Sequence, residues 1–428
     1  MRIQFSSQPP EEQHREHLAA PPPGTRTMRY PNPKRCGTKS VAALAIGLSL
    51  VAPVLASNVA SGLYVASGHT IYVGVLHELP DPPANDFFDS ASQRTGDLQA
   101  TPELHLRSGI LEERRVIEAP QGKLGFSLYF KGATPRATVI LIHGNDPETR
   151  EMGFIIPFFV CNGINVISYD QRGVGESAGD WLLNGPSQRA DDVAAIYDAM
   201  RGDPRVDSHR IGIWAFSNGG WTAPVVSVHR PVAFMILKSA PTESLAQNID
   251  YEVEQSMRRH KVEEASAQAI ALWHSFEQAL DGTVPWSETK RLYDLDAKQP
   301  WFRYSLMPDL GISIPPPPSK IAGLRRFVTF DPTKTLLSVS STPTLALYGA
   351  LDRNVDAADS AAHLREYLSR AGNRDVTIQV YSNAGHQLIV SKSGYNGDPT
   401  LPERFVSHYP QIMIAWLAQR GFTRERMH

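Results

Sequence analysis

The sequence predicts an α/β fold, a mainly parallel, doubly wound sheet carrying an inserted helical cap. Three observations predict it. Short apolar runs recur with helical text between them, the pattern of parallel strands covered on both faces. The alternation stops between residues 242 and 340, where the text turns strongly helical, and then resumes toward the C-terminus. The 428 residues are 42% hydrophobic and 20% charged, which supplies a large core and excludes wholesale disorder.

The first 56 residues read as an address. Residues 1–35 are polar and Pro-rich (PPEEQHREHLAAPPPG), a composition that cannot offset the entropy of ordering. From Met28 the text changes: Arg29, Lys34, Arg35 and Lys39 form a basic run without an acid, followed by VAALAIGLSLVAPVLA at 41–56. Val54-Leu55-Ala56 supplies a small-residue cleavage site before Ser57. This predicts a start at Met28, a cleaved signal peptide and an exported, periplasmic or secreted protein. The alternative is a retained N-terminal membrane anchor, favoured by the absence of formal charge between Lys39 and Glu78. Against it, 16 residues fall short of the ~20 that span a bilayer, and Pro53 interrupts them. Residues 57–109 read as an extension or linker, marked by Pro80, Pro82 and Pro83.

The elements follow in order. RRVIEAP and KLGFSLYFKG predict two strands joined by a turn at Gln121-Gly122. ATVILIHG (137–144) is a continuous apolar run ending in Gly, a buried parallel strand, with helical text behind it to about 161. NVISYD (165–170) is the next strand; ADDVAAIYDAM (190–200) is a helix with Asp191 and Asp192 in its first turn. RIGIWAF (210–216) is a strand, helix returns after Ser217, and PVAFMILKSA (231–240) is a further strand. The run from Ser244 is strongly helical and ends at Gly282, followed by Trp286, Trp301, Phe302 and the tetraproline Pro315–Pro318. TPTLALYGA (342–350), a helix at 358–370, VTIQVYS (376–382) and a last helix ending near Gly421 complete the chain. Residues 110–241 and 341–428 are thus the core, and 242–340 the cap.

Charge and cysteine content narrow the function. Lys+Arg is 42 against Asp+Glu 44, a net of −2, which gives no electrostatic footprint for nucleic acid. Two cysteines exclude a disulfide scaffold and a Cys-rich metal site. Signal cleavage would remove Cys36 and leave Cys161, which reads as a small core filler in IIPFFVCNG, with a reactive thiol as the alternative. No HExxH, clustered Cys/His or other signature of a metal or organic cofactor is present.

The chemistry sits on loops after three strands. Ala215-Phe216-Ser217-Asn218-Gly219-Gly220 places a serine between small residues at a strand-to-helix join, the pattern of a nucleophile elbow. The turn is tight, so bulk at either flank collides; the hydroxyl is pushed out of the sheet at a helix N-terminus. The competing reading is a Gly-rich turn with a capping serine. A serine hydroxyl needs a base, and the base an orienting acid. Asp352, just after one strand, and His386, beside Gly385 just after the last, stand in the order Ser…Asp…His. Asp356 is the rival acid, and a loop aspartate and a solvated histidine are the competing readings. His143 ends its strand before Gly144 and reads as structural. Asp170–Ser177 (DQRGVGES) is Gly-rich but lacks the Lys-Ser/Thr of a phosphate loop and the dinucleotide spacing; Asp170 and Arg172 are expected to brace a turn.

HGN at 143–145, DQRGVGES at 170–177, AFSNGG at 215–220, GALD at 349–352 and GH at 385–386 together resemble the α/β-hydrolase superfamily. The flavour is that of its serine aminopeptidase, monoacylglycerol lipase and prolyl oligopeptidase-like branches. The resemblance spans about residues 110–428. It implies Ser217 as nucleophile, His386 as general base and acid, Asp352 as orienter, and Asn145 and Asn218 as oxyanion donors through their backbones. It also implies a helical cap at about 242–340. Ala215 in the first glycine position and Asn145 where relatives carry Gly or an aromatic depart from the pattern without removing a catalytic group. The expected reaction is acyl transfer from a small-molecule carboxylic ester to water. A serine exopeptidase acting on short peptides is the first alternative, and a non-catalytic binding protein on the same fold the alternative from another class. The cap aromatics either line an acyl pocket or pack the cap.

Overall fold

The computed structural model describes residues 62–66, 69–73, 104–107, 109–395 and 405–423. The segment read as a signal peptide or anchor and the Pro80–Pro83 linker lie outside these residues. Within 57–109, β1 (Gly62–Ala66) and β2 (His69–Val73) pair antiparallel with each other, and β3 (Leu104–Arg107) joins the main sheet.

That sheet has nine strands. After β3 come β4 (Ile110–Ala119), β5 (Gly122–Phe130), β6 (Arg136–Ile142) and β7 (Asn165–Tyr169). Then follow β8 (Val206–Phe216), β9 (Met235–Lys238), β10 (Thr344–Gly349) and β11 (Val376–Tyr381). Their spatial order is β11-β10-β9-β8-β6-β7-β5-β4-β3. Strands β6 to β11 are parallel, and β5, β4 and β3 add an antiparallel edge. The chain steps from β6 to β7 on one side and then crosses to β8 and beyond on the other. The crevice at the C-terminal ends beside β6 is therefore a topological switch point, where open α/β sheets take ligands.

Side-chain alternation sorts each strand between two apolar layers. Ile140 and Ile142 of β6, Met235 and Leu237 of β9, and Ala346 and Tyr348 of β10 face one layer. It is completed by α2 (Pro186–Met200), α3 (Gly219–His229) and α9 (Ala357–Arg370). Val139 and Leu141, Ile236, and Leu345 and Leu347 face the other, closed by α1 (Ile155–Cys161) and α10 (Tyr409–Gln419). Strands buried on both faces need apolar residues at every position, which is why they read as continuous runs.

Two expectations are corrected. Helix α2 opens at Pro186, not Ala190, so Asp191 and Asp192 fall in its second turn; the fixed φ of proline suits a first helical position. Of the helical text expected behind β6, only α1 is helix, and 145–154 is irregular. The strongly helical run from Ser244 forms α4 (Leu245–Arg259), opened by a Ser244/Gln247 capping box, and α5 (Ser266–Asp281), separated at 260–265. With α6 (Trp286–Asp296) and α7 (Pro318–Val328), inserted between β9 and β10, they enclose a third apolar cluster. Trp273, Phe276 and Phe302 are packed inside it. A short helix, α8 (Thr333–Leu336), leads back to β10. No helix among the described residues is long and apolar enough to cross a membrane.

Candidate active site

Ser217 occupies the join between β8 and α3 with φ of 53°, a left-handed conformation that costs a non-glycine residue roughly 1–2 kcal/mol. Hydrogen bonds hold it there: its N–H donates to Lys238 O at 2.9 Å, and Gly220 N–H donates to Ser217 O at 2.8 Å. A Cβ on Gly219 would stand 2.6 Å from His143 O, so the small residue at this flank is a steric requirement. Ala215, at the other flank, buries its methyl completely. The strand geometry tolerates Ala where the motif more often has Gly.

The three residues expected to cooperate meet. His386 Nδ1 lies 2.7 Å from Asp352 Oδ2, and its Nε2 lies 3.0 Å from Ser217 Oγ. An ionised carboxylate only accepts, so Nδ1–H donates to Asp352 and Nε2 is left to accept from the serine hydroxyl. Asp352 is itself fixed: its Oδ1 accepts from the N–H groups of Asn354 and Val355 at 2.8 and 3.0 Å. Tyr251 OH of α4 donates to its main-chain oxygen at 2.7 Å. The rival Asp356 caps α9, accepting from Ala358 and Asp359 N–H at 3.0 and 3.1 Å. Ser239 Oγ donates to His386 O at 2.8 Å. The φ of Gly385 lies outside the left-handed region. What requires glycine is the neighbouring chain, because a Cβ would stand 2.6 Å from Gly394 O.

The expected oxyanion loop lies against the nucleophile: a Cβ on Gly144 would sit 3.4 Å from Ser217 Cβ. Asn145 is buried, its Oδ1 accepting from Arg189 Nη2 at 3.5 Å, and Asn218 is buried at the N-cap of α3. His143 is structural, with Nε2 2.6 Å from Tyr169 O and Nδ1 3.1 Å from Glu148. Asp170 and Arg172 brace their loop. Asp170 accepts from Arg150 and Glu176 N–H at 2.8 and 2.9 Å, and Arg172 Nε donates to Asp192 at 2.8 Å. Cys161 is only partly buried, packed beside the second apolar layer.

Four polar residues around the site escape sequence reasoning. Lys238 is the one charge in an apolar strand, which was a legible signal. Its Nζ donates to Gln387 Oε1 at 3.1 Å and sits 4.4 Å from the Phe216 ring centroid, and burial pushes it down to about 7. Arg189, pushed down by burial to about 10, and Gln171 both donate to Gly144 O; nothing in the local sequence marks Arg189, and Gln171 lies in DQRGVGES, where only Asp170 and Arg172 were given a role. Asp146 is exposed on the loop after β6, within electrostatic reach of Glu148 and His386. Among the described residues no group of three or more His, Cys, Asp or Glu is placed to hold a metal ion.

A family model described as serine aminopeptidase, S33, matches residues 133–392, more than half of the chain. Solved structures similar to it include an esterase of Pyrococcus furiosus, 15% identical, covering 72% of this chain and 91% of that one at a TM-score of 0.46. A cold-adapted esterase from an Arctic intertidal metagenomic library is 14% identical, covering 76% and 99% at a TM-score of 0.42. A puromycin hydrolase is 14% identical, covering 74% of this chain and 40% of that one at a TM-score of 0.46. No curated protein sequence matches the chain.

Proposed function

Since the chain belongs to the serine aminopeptidase S33 family and is a serine hydrolase of the α/β-hydrolase class, we propose that it cleaves carboxylic esters through an acyl-enzyme on Ser217. The relay from Asp352 through His386 to Ser217 Oγ, 2.7 and 3.0 Å in its two links, carries this reading. His386 Nε2 takes the hydroxyl proton as Oγ attacks the ester carbonyl. The oxyanion is held by the Asn145 and Asn218 N–H groups, each worth on the order of 3 kcal/mol. His386 then passes the proton to the leaving alcohol, and water, deprotonated by the same nitrogen, releases the acid. The basic run ending at Lys39 and the apolar segment 41–56 support export as part of this reading.

A second reading, a serine aminopeptidase, is favoured by electrostatics. Asp146 lies within electrostatic reach of His386, and Glu148 stands beside Asp146. An acidic surround of this kind suits the cationic amine of a peptide. A panel of p-nitrophenyl esters and aminoacyl p-nitroanilides, with a fluorophosphonate label, separates the two. Ester turnover with labelling is expected, and Ser217→Ala should lower it by about 10^4-fold or more and abolish labelling. Turnover preserved in a folded Ser217→Ala protein removes the proposal.

A further inference from the structure

The guanidinium of Arg189 is buried in the first turn of α2, and no carboxylate pairs with it among the described residues. The nearby Asp192 is taken by Arg172, whose Nε donates to it at 2.8 Å. Arg189 instead donates only to oxygens of uncharged groups: Asn184 O at 2.9 Å, Gly144 O at 3.2 Å, and Trp181 O and Asn145 Oδ1 at 3.5 Å each. A second donor reaches the same Gly144 carbonyl from a different element, Gln171 Nε2 at 3.1 Å from the loop after β7. Two buried side chains from separate parts of the fold therefore converge on one main-chain oxygen at the end of β6.

That oxygen shares a peptide plane with the Asn145 N–H. In a trans peptide the C=O and the following N–H point in opposite directions, and the plane is stiff. Fixing Gly144 O toward Arg189 and Gln171 fixes the Asn145 N–H toward the opposite side. We infer that Arg189 and Gln171 are positioning residues that clamp the Gly144–Asn145 peptide so that its N–H faces the oxyanion formed beside Ser217. The inference rests on the proposed acyl-enzyme reading. It adds to it a physical reason for burying a guanidinium at this spot. A preorganised donor stabilises the transition state because it needs no reorientation as charge develops. A peptide free to rotate would lose that advantage while leaving substrate binding nearly intact.

The test uses Arg189→Met, Arg189→Lys and Gln171→Met in the full chain, with p-nitrophenyl acetate and its thiono analogue, whose developing sulfur anion fits an oxyanion hole poorly. For both Met variants the expected result is a 10- to 100-fold fall in kcat on the oxygen ester, with KM within about threefold. The oxygen-to-thiono rate ratio should shrink in parallel, and Arg189→Lys should restore part of the loss. Gln171→Met removes a neutral donor and keeps the test open if Arg189→Met does not fold. Folded variants that keep the wild-type kcat and the wild-type ratio overturn the clamp. If Ser217→Ala abolishes turnover while these variants leave it untouched, only the clamp fails; if turnover survives Ser217→Ala, the acyl-enzyme reading fails with it.

Discussion

Lys238 sits at the end of β9 with its ammonium 4.4 Å from the Phe216 ring centroid and 5.6 Å from that of Tyr409. Asp352 and Glu148 act on it from neighbouring loops, yet burial outweighs both and brings it down to about 7 from an ordinary 10.5. Between those values the unfolded chain holds a proton that the folded chain releases, so stability rises with pH across the window; below about 7 the buried charge is a fixed cost. Lys238→Met removes this dependence. Its stability relative to wild type should be greatest at pH 6.5 and decline by up to about 3 kcal/mol by pH 9.5 in urea titrations. Parallel midpoints over that range would exclude the assignment. Ser217, Asp352 and His386 were legible because a motif and a strand end fix where each points. Arg189, Gln171 and Ser239 were not, because only packing between distant elements reveals that an arginine or glutamine is buried and which carbonyl it meets.

Helix α2 shows the same division one level up. Its existence was plain from periodicity, but its start was misplaced because Pro186 reads as a breaker as readily as a first helical residue. The error hid the role of Asp192, which lies two turns in and pairs with Arg172, both nearly fully buried. This pair ties α2 to the loop after β7, where Arg172 also donates to Gly122 O and Lys123 O at 2.9 and 2.8 Å. Removing one partner leaves an uncompensated buried charge. Asp192→Asn should therefore cost about 3–5 kcal/mol in chemical denaturation, whereas Arg172→Met with Asp192→Leu should recover much of it. A single variant within about 0.5 kcal/mol of wild type would show that the pair contributes little to the docking of α2. Strands posed no such difficulty: β6, β7, β9 and β10 are buried on both faces, and their unbroken apolar runs state that directly.

At the scale of the molecule, the inserted helices form a layer with its own apolar cluster, distinct from the two that sandwich the sheet. The interruption was visible in the sequence but not how the layer is fastened, since the fasteners are single residues far apart along the chain. Trp221 of α3 is the principal one: 1% exposed, it packs against Phe327 and Phe330 at 6.3 and 6.5 Å between centroids and donates from Nε1 to Glu243 O at 2.9 Å. Phe330 in turn touches both the helical cluster and the sheet layer. Trp181 and Leu182, from the loop after β7, are buried in the same cluster, and Tyr251 to Asp352 O and Tyr395 to Gln255 O add polar ties. A layer outside the two clusters that sandwich the sheet should open at lower free energy than the sheet. Trp221→Leu, with a truncation cost of roughly 2–4 kcal/mol, should then weaken protection across α4 to α7 in native-state hydrogen exchange while β6 and β8 keep theirs. Because α4 also holds the Asp352 loop, ester turnover should fall alongside that opening. If β6 and β8 lose protection in equal measure, the layer and the sheet unfold as one unit, and the inserted helices have no independent freedom with which to admit substrate.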